Sequence, residues 1–213
     1  MVPGGNPFEI YCWLAGLEEA MVNLALAPEA VERALDHITS FFEERLRRVL
    51  SVAGDAVDLV FLADDLGSQN GLLLSNAMYR AVLQPCHRRL TEAIHCLAPH
   101  VKAVFHSDGA VSDVIPDLIE AGIDVLEAVQ VDATGMDPVR LKREFGRDLC
   151  FHGGISVQQL LPRADATTVA RECRRLVEIF GADGGYIAAP THAVQMGTPP
   201  ENVDAMLRAL CRR

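Results

Sequence analysis

The sequence predicts an α/β fold made of successive βα units around a parallel sheet. Five short apolar runs alternate with amphipathic segments along the 213-residue chain, which is the pattern of βα repeats. The runs are almost continuously apolar, as in parallel strands that are buried on both faces. Half of the residues are hydrophobic and only 6% are aromatic, a composition that suits helices packed on such a sheet.

The helices are predicted from capping residues and helical periodicity. One helix covers residues 28–54, with proline in its first turn, a position that proline favours. A second helical stretch covers residues 76–97, with Ser75 as its N-cap. Pro85 lies inside this stretch and is expected to kink or break it, because proline lacks an amide hydrogen. The later helices are predicted at 111–122, 138–146, 167–181 and 200–211.

Polar side chains follow every predicted strand. The strands cover residues 57–62, 102–106, 124–130, 149–154 and 185–189. The polar residues at their ends are Asp64 and Asp65, His106 and Asp108, Gln130, His152, and His192. In a (β/α)8 barrel the chemistry lies at the carboxyl ends of the strands, so these side chains are expected to share one mouth. A closed barrel typically needs about 250 residues, so the chain is either an open sheet or the C-terminal part of a barrel.

Composition excludes several classes of partner. The net charge of −10 argues against a nucleic-acid surface, which needs clustered Lys and Arg. The apolar segment at 11–27 is interrupted by Glu18 and Glu19 and is too short to span a membrane. The six cysteines form no CxxC pair and no secretory signal precedes them, so reduced thiols in the cytoplasm are expected.

Five motifs occur in a fixed order: "DDLGSQNGLLLSNAMYRAVLQP", "FHSDGAVSDVIPDLIEAGIDVLEAVQ", "GMDPVRLKREFG", "FHGGISVQQLL" and "GGYIAAPTHAVQMGTPPENVDAML". This ordered set resembles the uroporphyrinogen decarboxylase superfamily, which also contains cobalamin-dependent methyltransferases. The resemblance runs from about Gly54 to the end of the chain. It implies that residues 1–213 are the C-terminal part of one (β/α)8 TIM-barrel domain, lacking about three N-terminal βα units.

The resemblance also implies a metal site. The methyltransferases of this superfamily carry an HxC motif and a later Cys as zinc ligands. Here the first motif reads His106-Ser107-Asp108, and His192 occupies the later Cys position. Imidazole and carboxylate both bind zinc and other divalent metals, so His106, Asp108 and His192 are the predicted ligands. The alternative is a turn in which Asp108 caps the next helix.

The remaining site residues are predicted from their places after strands. Asp64 and Asp65 follow a strand, and one of them is expected to act as general acid or base or to orient a histidine, together with His192 as a catalytic residue. The predicted substrate-binding residues are Gln69, Gln130, His152 and Gln195. The alternatives are that the glutamines fasten loops and that His152 packs in the core. The histidines expected outside the site, on helix surfaces or in packing, are His37, His87, His95 and His100.

Three functions stay open at this point. Metal-assisted methyl transfer would use a corrinoid protein as methyl carrier. The second function is decarboxylation of uroporphyrinogen or a related tetrapyrrole, which is a step of porphyrin biosynthesis. This reaction would need no metal, but it would need cations that bind the substrate carboxylates. The nearest candidates in the sequence are Arg80, Arg140 and Arg163. A non-catalytic truncated domain would expose an apolar edge and self-associate, for example as a homodimer. In the first two cases the substrate is a small molecule.

Overall fold

The computed structural model describes residues 1–211 and confirms the α/β class, with six parallel strands that alternate with helices. The strands are β1 (Val2–Gly5), β2 (Leu59–Ala63), β3 (Lys102–His106), β4 (Val125–Ala128), β5 (Cys150–Ile155) and β6 (Tyr186–Pro190). The helices are α1 (Pro7–Ala15), α2 (Leu17–Leu26), α3 (Pro28–Ala53), α4 (Asn76–Met78), α5 (Gln84–Leu97), α6 (Ile115–Glu120), α7 (Pro138–Phe145), α8 (Leu160–Arg163), α9 (Ala166–Phe180) and α10 (Pro200–Cys211). Five of the strands were expected.

Strand β1 corrects the predicted count of strands. Its sequence, VPGG, contains a proline and two glycines, so it carries no apolar run that a pattern search would detect. The glycines are required by packing. A Cβ at Gly4 would collide with Leu62 of β2, and a Cβ at Gly5 would lie 2.6 Å from the ring of Phe42.

The described chain forms two compact units. The first unit comprises residues 1–66, 73–107 and 113–125, and the second comprises 67–72, 108–112 and 126–211. In the first unit β1, β2 and β3 pair in parallel, with Leu59 beside Lys102 and Ala63 beside His106. Helices α3 and α5 pack against each other and contribute buried leucines to the core of this unit.

The second unit is built around the parallel pair β5 and β6, in which Phe151 lies beside Tyr186. Helix α9 covers both strands and packs against α10. The ring of Phe180, at the end of α9, lies 5.0 Å from that of Phe151 and 5.1 Å from that of Tyr186. Three aromatic rings therefore tie helix and strands together.

The segment 76–97 keeps its predicted bounds, and its α-helix is interrupted close to Pro85. Ser75 caps it, and its Oγ accepts a hydrogen bond of 3.2 Å from the amide of Met78. Pro85 lies in the first turn of α5, directly after a π-helical turn over Tyr79–Leu83. The regular α-helix is therefore interrupted next to Pro85, and the interruption takes the form of a widened turn. In the described part of the chain, no helix has the length and apolarity needed to cross a membrane.

Candidate functional site

In the first unit, a histidine and a carboxylate meet at the carboxyl ends of β2 and β3. His106 is the last residue of β3 and Asp65 follows β2 by two residues. His106 Nε2 lies 3.7 Å from Asp65 Oδ1, and the two side chains are 16% and 45% exposed. The ring of Phe61 lies 5.9 Å from the His106 ring on the same edge. The pair is therefore sheltered yet accessible to solvent.

The backbone holds this pair from both sides. The amide of Asp64 donates a hydrogen bond of 3.1 Å to the carbonyl of His106. The amide of Leu66 donates one of 2.8 Å to Ser107 Oγ. Because the residues before and after Asp65 are bonded to the His106–Ser107 segment, the separation of Asp65 and His106 is fixed by local structure.

Asp64 points into the core of the first unit instead of toward solvent. Its side chain is 0% exposed, and its Oδ2 lies 2.7 Å from His87 Nε2. Its Oδ1 accepts a hydrogen bond of 2.8 Å from the amide of Glu9, in the first turn of α1. Burial raises the pKa of the Asp64 carboxyl, and the hydrogen bond to His87 opposes that rise. Asp64 is thus a buried partner of a histidine.

His87 and Tyr79 are the residues of this site that the sequence did not indicate. His87 is 1% exposed, and its Nδ1 lies 3.1 Å from the hydroxyl oxygen of Tyr79. Tyr79 is also 1% exposed. His87 had been expected on a helix surface or in packing. The helical pattern of the sequence shows that His87 lies on a helix. It does not show whether its ring packs in the core or bonds to a carboxylate that is distant in sequence.

In the second unit, four of the predicted site residues line one cavity of about 660 Å³. They are Asp108, Gln130, His192 and Gln195. Arg163 and Thr191 line it as well, so the cavity offers a cation, amides and hydroxyl groups to a ligand. Within residues 1–211, no carboxylate forms an ion pair with Arg163.

The two glutamines Gln130 and Gln69 are bonded to each other. Gln130 is 4% exposed. Its Oε1 accepts a hydrogen bond of 2.9 Å from the amide of Gly109. Its Nε2 donates a hydrogen bond of 3.2 Å to Gln69 Oε1. This arrangement fastens three loops of the second unit. Of the two amides, only Gln130 lies among the described lining residues of the cavity.

His152 lies within β5 and outside the described lining of this cavity. Burial lowers the pKa of its imidazole, and the negative charge of Glu127 partly opposes this effect. The buried thiols are likewise kept uncharged. Burial raises the pKa of Cys12 and of Cys173 to about 11, with the negative charges of Asp64 and Glu172 adding to it.

Comparison with known proteins identifies the family. Residues 4–212 match the model of the uroporphyrinogen decarboxylase (URO-D) family, so the chain belongs to this family. A curated relative, the methylated-thiol–coenzyme M methyltransferase of Methanosarcina mazei, is 29% identical over 204 residues, which is 95% of this chain and 50% of the relative. The chain therefore spans about half the length of this relative.

A solved structure shows the same fold. A methyltransferase from Methanosarcina mazei superposes with a TM-score of 0.75 and 21% sequence identity, over 97% of this chain and 57% of that protein. Family membership and fold agree with the resemblance drawn from the ordered motifs. Both of these relatives are named as methyltransferases.

Proposed function

We propose that this chain is the metal-binding part of an enzyme that transfers a methyl group to a thiol. The observation that carries the proposal is the pair formed by His106 and Asp65, with Nε2 and Oδ1 separated by 3.7 Å. Two atoms that bind one zinc ion at about 2.0–2.2 Å are at most about 4.3 Å apart. The separation therefore fits a single divalent metal.

The proposed ligands within the first unit are His106 and Asp65, which offer one imidazole and one carboxylate. Asp108 stays a ligand that the sequence predicts, because side chains two apart on an extended segment point the same way. A bound metal would act as a Lewis acid that lowers the pKa of the acceptor thiol.

The cavity of the second unit is proposed to hold the acceptor. His192 lines it together with Asp108, and we assign His192 to accept the thiol proton, as a general base. Arg163 would hold an anionic group of the same substrate, because no described carboxylate neutralises it. The relative acts on methylated thiols and coenzyme M, as its name states, and a corrinoid protein is the proposed methyl carrier.

Metal content tests this proposal. The purified chain is analysed by elemental analysis beside His106→Ala and His100→Ala. His100 is exposed and lies just before β3, so it controls for the loss of any histidine. We expect about one equivalent of zinc or a similar metal in the wild type and in His100→Ala, and none in His106→Ala. Equal metal content in all three samples, or none in a folded wild type, would contradict the proposal.

Decarboxylation is the second candidate, and Arg163 in the cavity favours it. A cation beside amide and hydroxyl groups is suited to a substrate carboxylate. Incubation with uroporphyrinogen distinguishes the two functions. Turnover by a metal-free sample that Arg163→Met abolishes would favour decarboxylation, whereas metal-dependent methylation of a thiol would favour methyl transfer. A folded chain with neither activity would fit the non-catalytic alternative.

A further inference from the structure

A buried chain of three polar side chains lies beneath the His106–Asp65 pair. It runs from the hydroxyl of Tyr79 to His87 Nδ1 over 3.1 Å and from His87 Nε2 to Asp64 Oδ2 over 2.7 Å. All three side chains are almost fully buried. Buried polar groups are stabilising only when each has a hydrogen-bond partner. Here each side chain is hydrogen-bonded to the next one in the chain.

The π-turn makes this chain geometrically feasible. Tyr79 and His87 are eight residues apart, and in a regular α-helix, at about 100° per residue, they would point about 80° away from each other. The turn over Tyr79–Leu83 is closed by a hydrogen bond from the amide of Gln84 to the carbonyl of Tyr79, which takes up one extra residue. The extra residue removes most of this angle, so the Tyr79 hydroxyl reaches the His87 ring. Such turns occur frequently at functional sites.

His87 contacts the chain neighbour of each member of the pair. It bonds to Asp64, which precedes Asp65. Its ring also packs edge-on against Phe105, which precedes His106, with ring centroids 4.8 Å apart. A single imidazole therefore holds the ends of β2 and β3 in register, where the two candidate ligands emerge.

We infer that Tyr79, His87 and Asp64 form a positioning network that sets the separation of Asp65 and His106 and thereby the affinity of the site for a metal. The inference rests on the proposed function, because it assumes that His106 binds a metal. All three side chains are almost fully buried, so none of them is assigned as a ligand. They act through the backbone of the two ligands. In other metal sites, mutation of the residues that orient the ligands typically lowers metal affinity about 10- to 100-fold.

The test compares metal binding by the wild type, His87→Phe and Tyr79→Phe. His87→Phe keeps a ring against Phe105 and removes both hydrogen bonds, while Tyr79→Phe removes only the hydroxyl. Tyr186→Phe is the control, because the Tyr186 hydroxyl donates a hydrogen bond of 2.8 Å to Gly153 within the second unit. Each protein is titrated with Co²⁺, its visible absorption spectrum is recorded, and its thermal unfolding is measured.

We expect His87→Phe to bind Co²⁺ about 10- to 100-fold more weakly than the wild type, with a shifted absorption band. Tyr79→Phe should show a smaller change in the same direction, and it replaces His87→Phe in the comparison if the latter fails to fold. Tyr186→Phe should retain the wild-type affinity and spectrum. Wild-type affinity and spectrum in folded His87→Phe and Tyr79→Phe would overturn this inference alone. A wild type that binds no Co²⁺ would overturn the proposed function together with it.

Discussion

The strand ends of the two units are built differently. In the first unit Asp64 and His87 are buried and bonded to each other, and the Asp65–His106 pair is partly exposed. In the second unit the polar side chains line an open cavity of about 660 Å³, and His192 and Gln195 are exposed. In the proposed function the first unit would hold the metal, and the second unit would receive the substrate.

The largest expected effect separates the two adjacent aspartates. Asp64→Ala should lower the free energy of unfolding by about 3–5 kcal/mol, because it leaves His87 and the Glu9 amide buried without their partner. Asp65→Ala should lower it by less than about 1 kcal/mol, because this side chain is exposed. Urea denaturation of both variants measures the difference. Equal destabilisation would mean that the first unit does not depend on the buried network.

A second prediction concerns His192 in the cavity. His192→Ala should lower the rate of methyl transfer by about 100-fold or more, as loss of a general base does, while the metal content stays at the wild-type level. The rate is measured with methylcobalamin and a thiol, and the metal by elemental analysis of the same sample. Loss of the metal would return His192 to the ligand set, where the sequence first placed it.

A third prediction uses the bonded glutamines of the second unit. Gln130→Leu should lower the free energy of unfolding by about 1–3 kcal/mol, because it leaves the Gly109 amide without an acceptor. Gln195→Leu is the matched control, since Gln195 is exposed and should change stability by less than about 0.5 kcal/mol. The same result for both variants in chemical denaturation would mean that the bond between Gln130 and Gly109 contributes little to stability.

The smallest expected effect is a pH dependence from His152. Its pKa is lowered in the folded state by burial, so below about pH 6.5, the ordinary histidine pKa, the unfolded chain binds a proton that the folded chain does not. Stability should therefore be lost as pH falls from about 6.5 through the folded pKa, with a slope for this residue below about 1.4 kcal/mol per pH unit. His152→Gln should flatten the profile in this window. An unchanged profile in a series of denaturation curves would contradict this account of His152.

The sequence predicted the elements that are long or strongly patterned. The five expected strands lie within two residues of their observed bounds, and the helix at 28–54 ends where its glycine indicated. The pattern failed at β1, because its glycines are required by contacts with Leu62 and Phe42 that are distant in sequence. Pro85 indicated an interruption of the helix, but not its form, because a break and a widened turn have the same sequence signal at a proline.

The candidate site was predictable where it depends on strand order. Parallel strands present their carboxyl ends at one edge, which is why Asp65 was expected near His106, and Asp108 near His192. The role of His87 was not predictable, because it depends on a hydrogen bond to Asp64 across 23 positions of sequence. The hydrogen bond between Gln69 and Gln130 was not predictable either. A side-chain amide uses the same oxygen and nitrogen atoms to bind a loop or a ligand, so the sequence does not show which of the two it binds.

The central claim is that the strand ends of the first unit hold a metal through imidazole and carboxylate without a thiolate. X-ray absorption at the zinc edge of the zinc-loaded chain, recorded without added thiol, tests it most directly. The account predicts a shell of only nitrogen and oxygen ligands near 2.0–2.2 Å, with an imidazole contribution that His106→Ala removes. A sulfur ligand near 2.3 Å, or an imidazole signal that survives in His106→Ala, would contradict it.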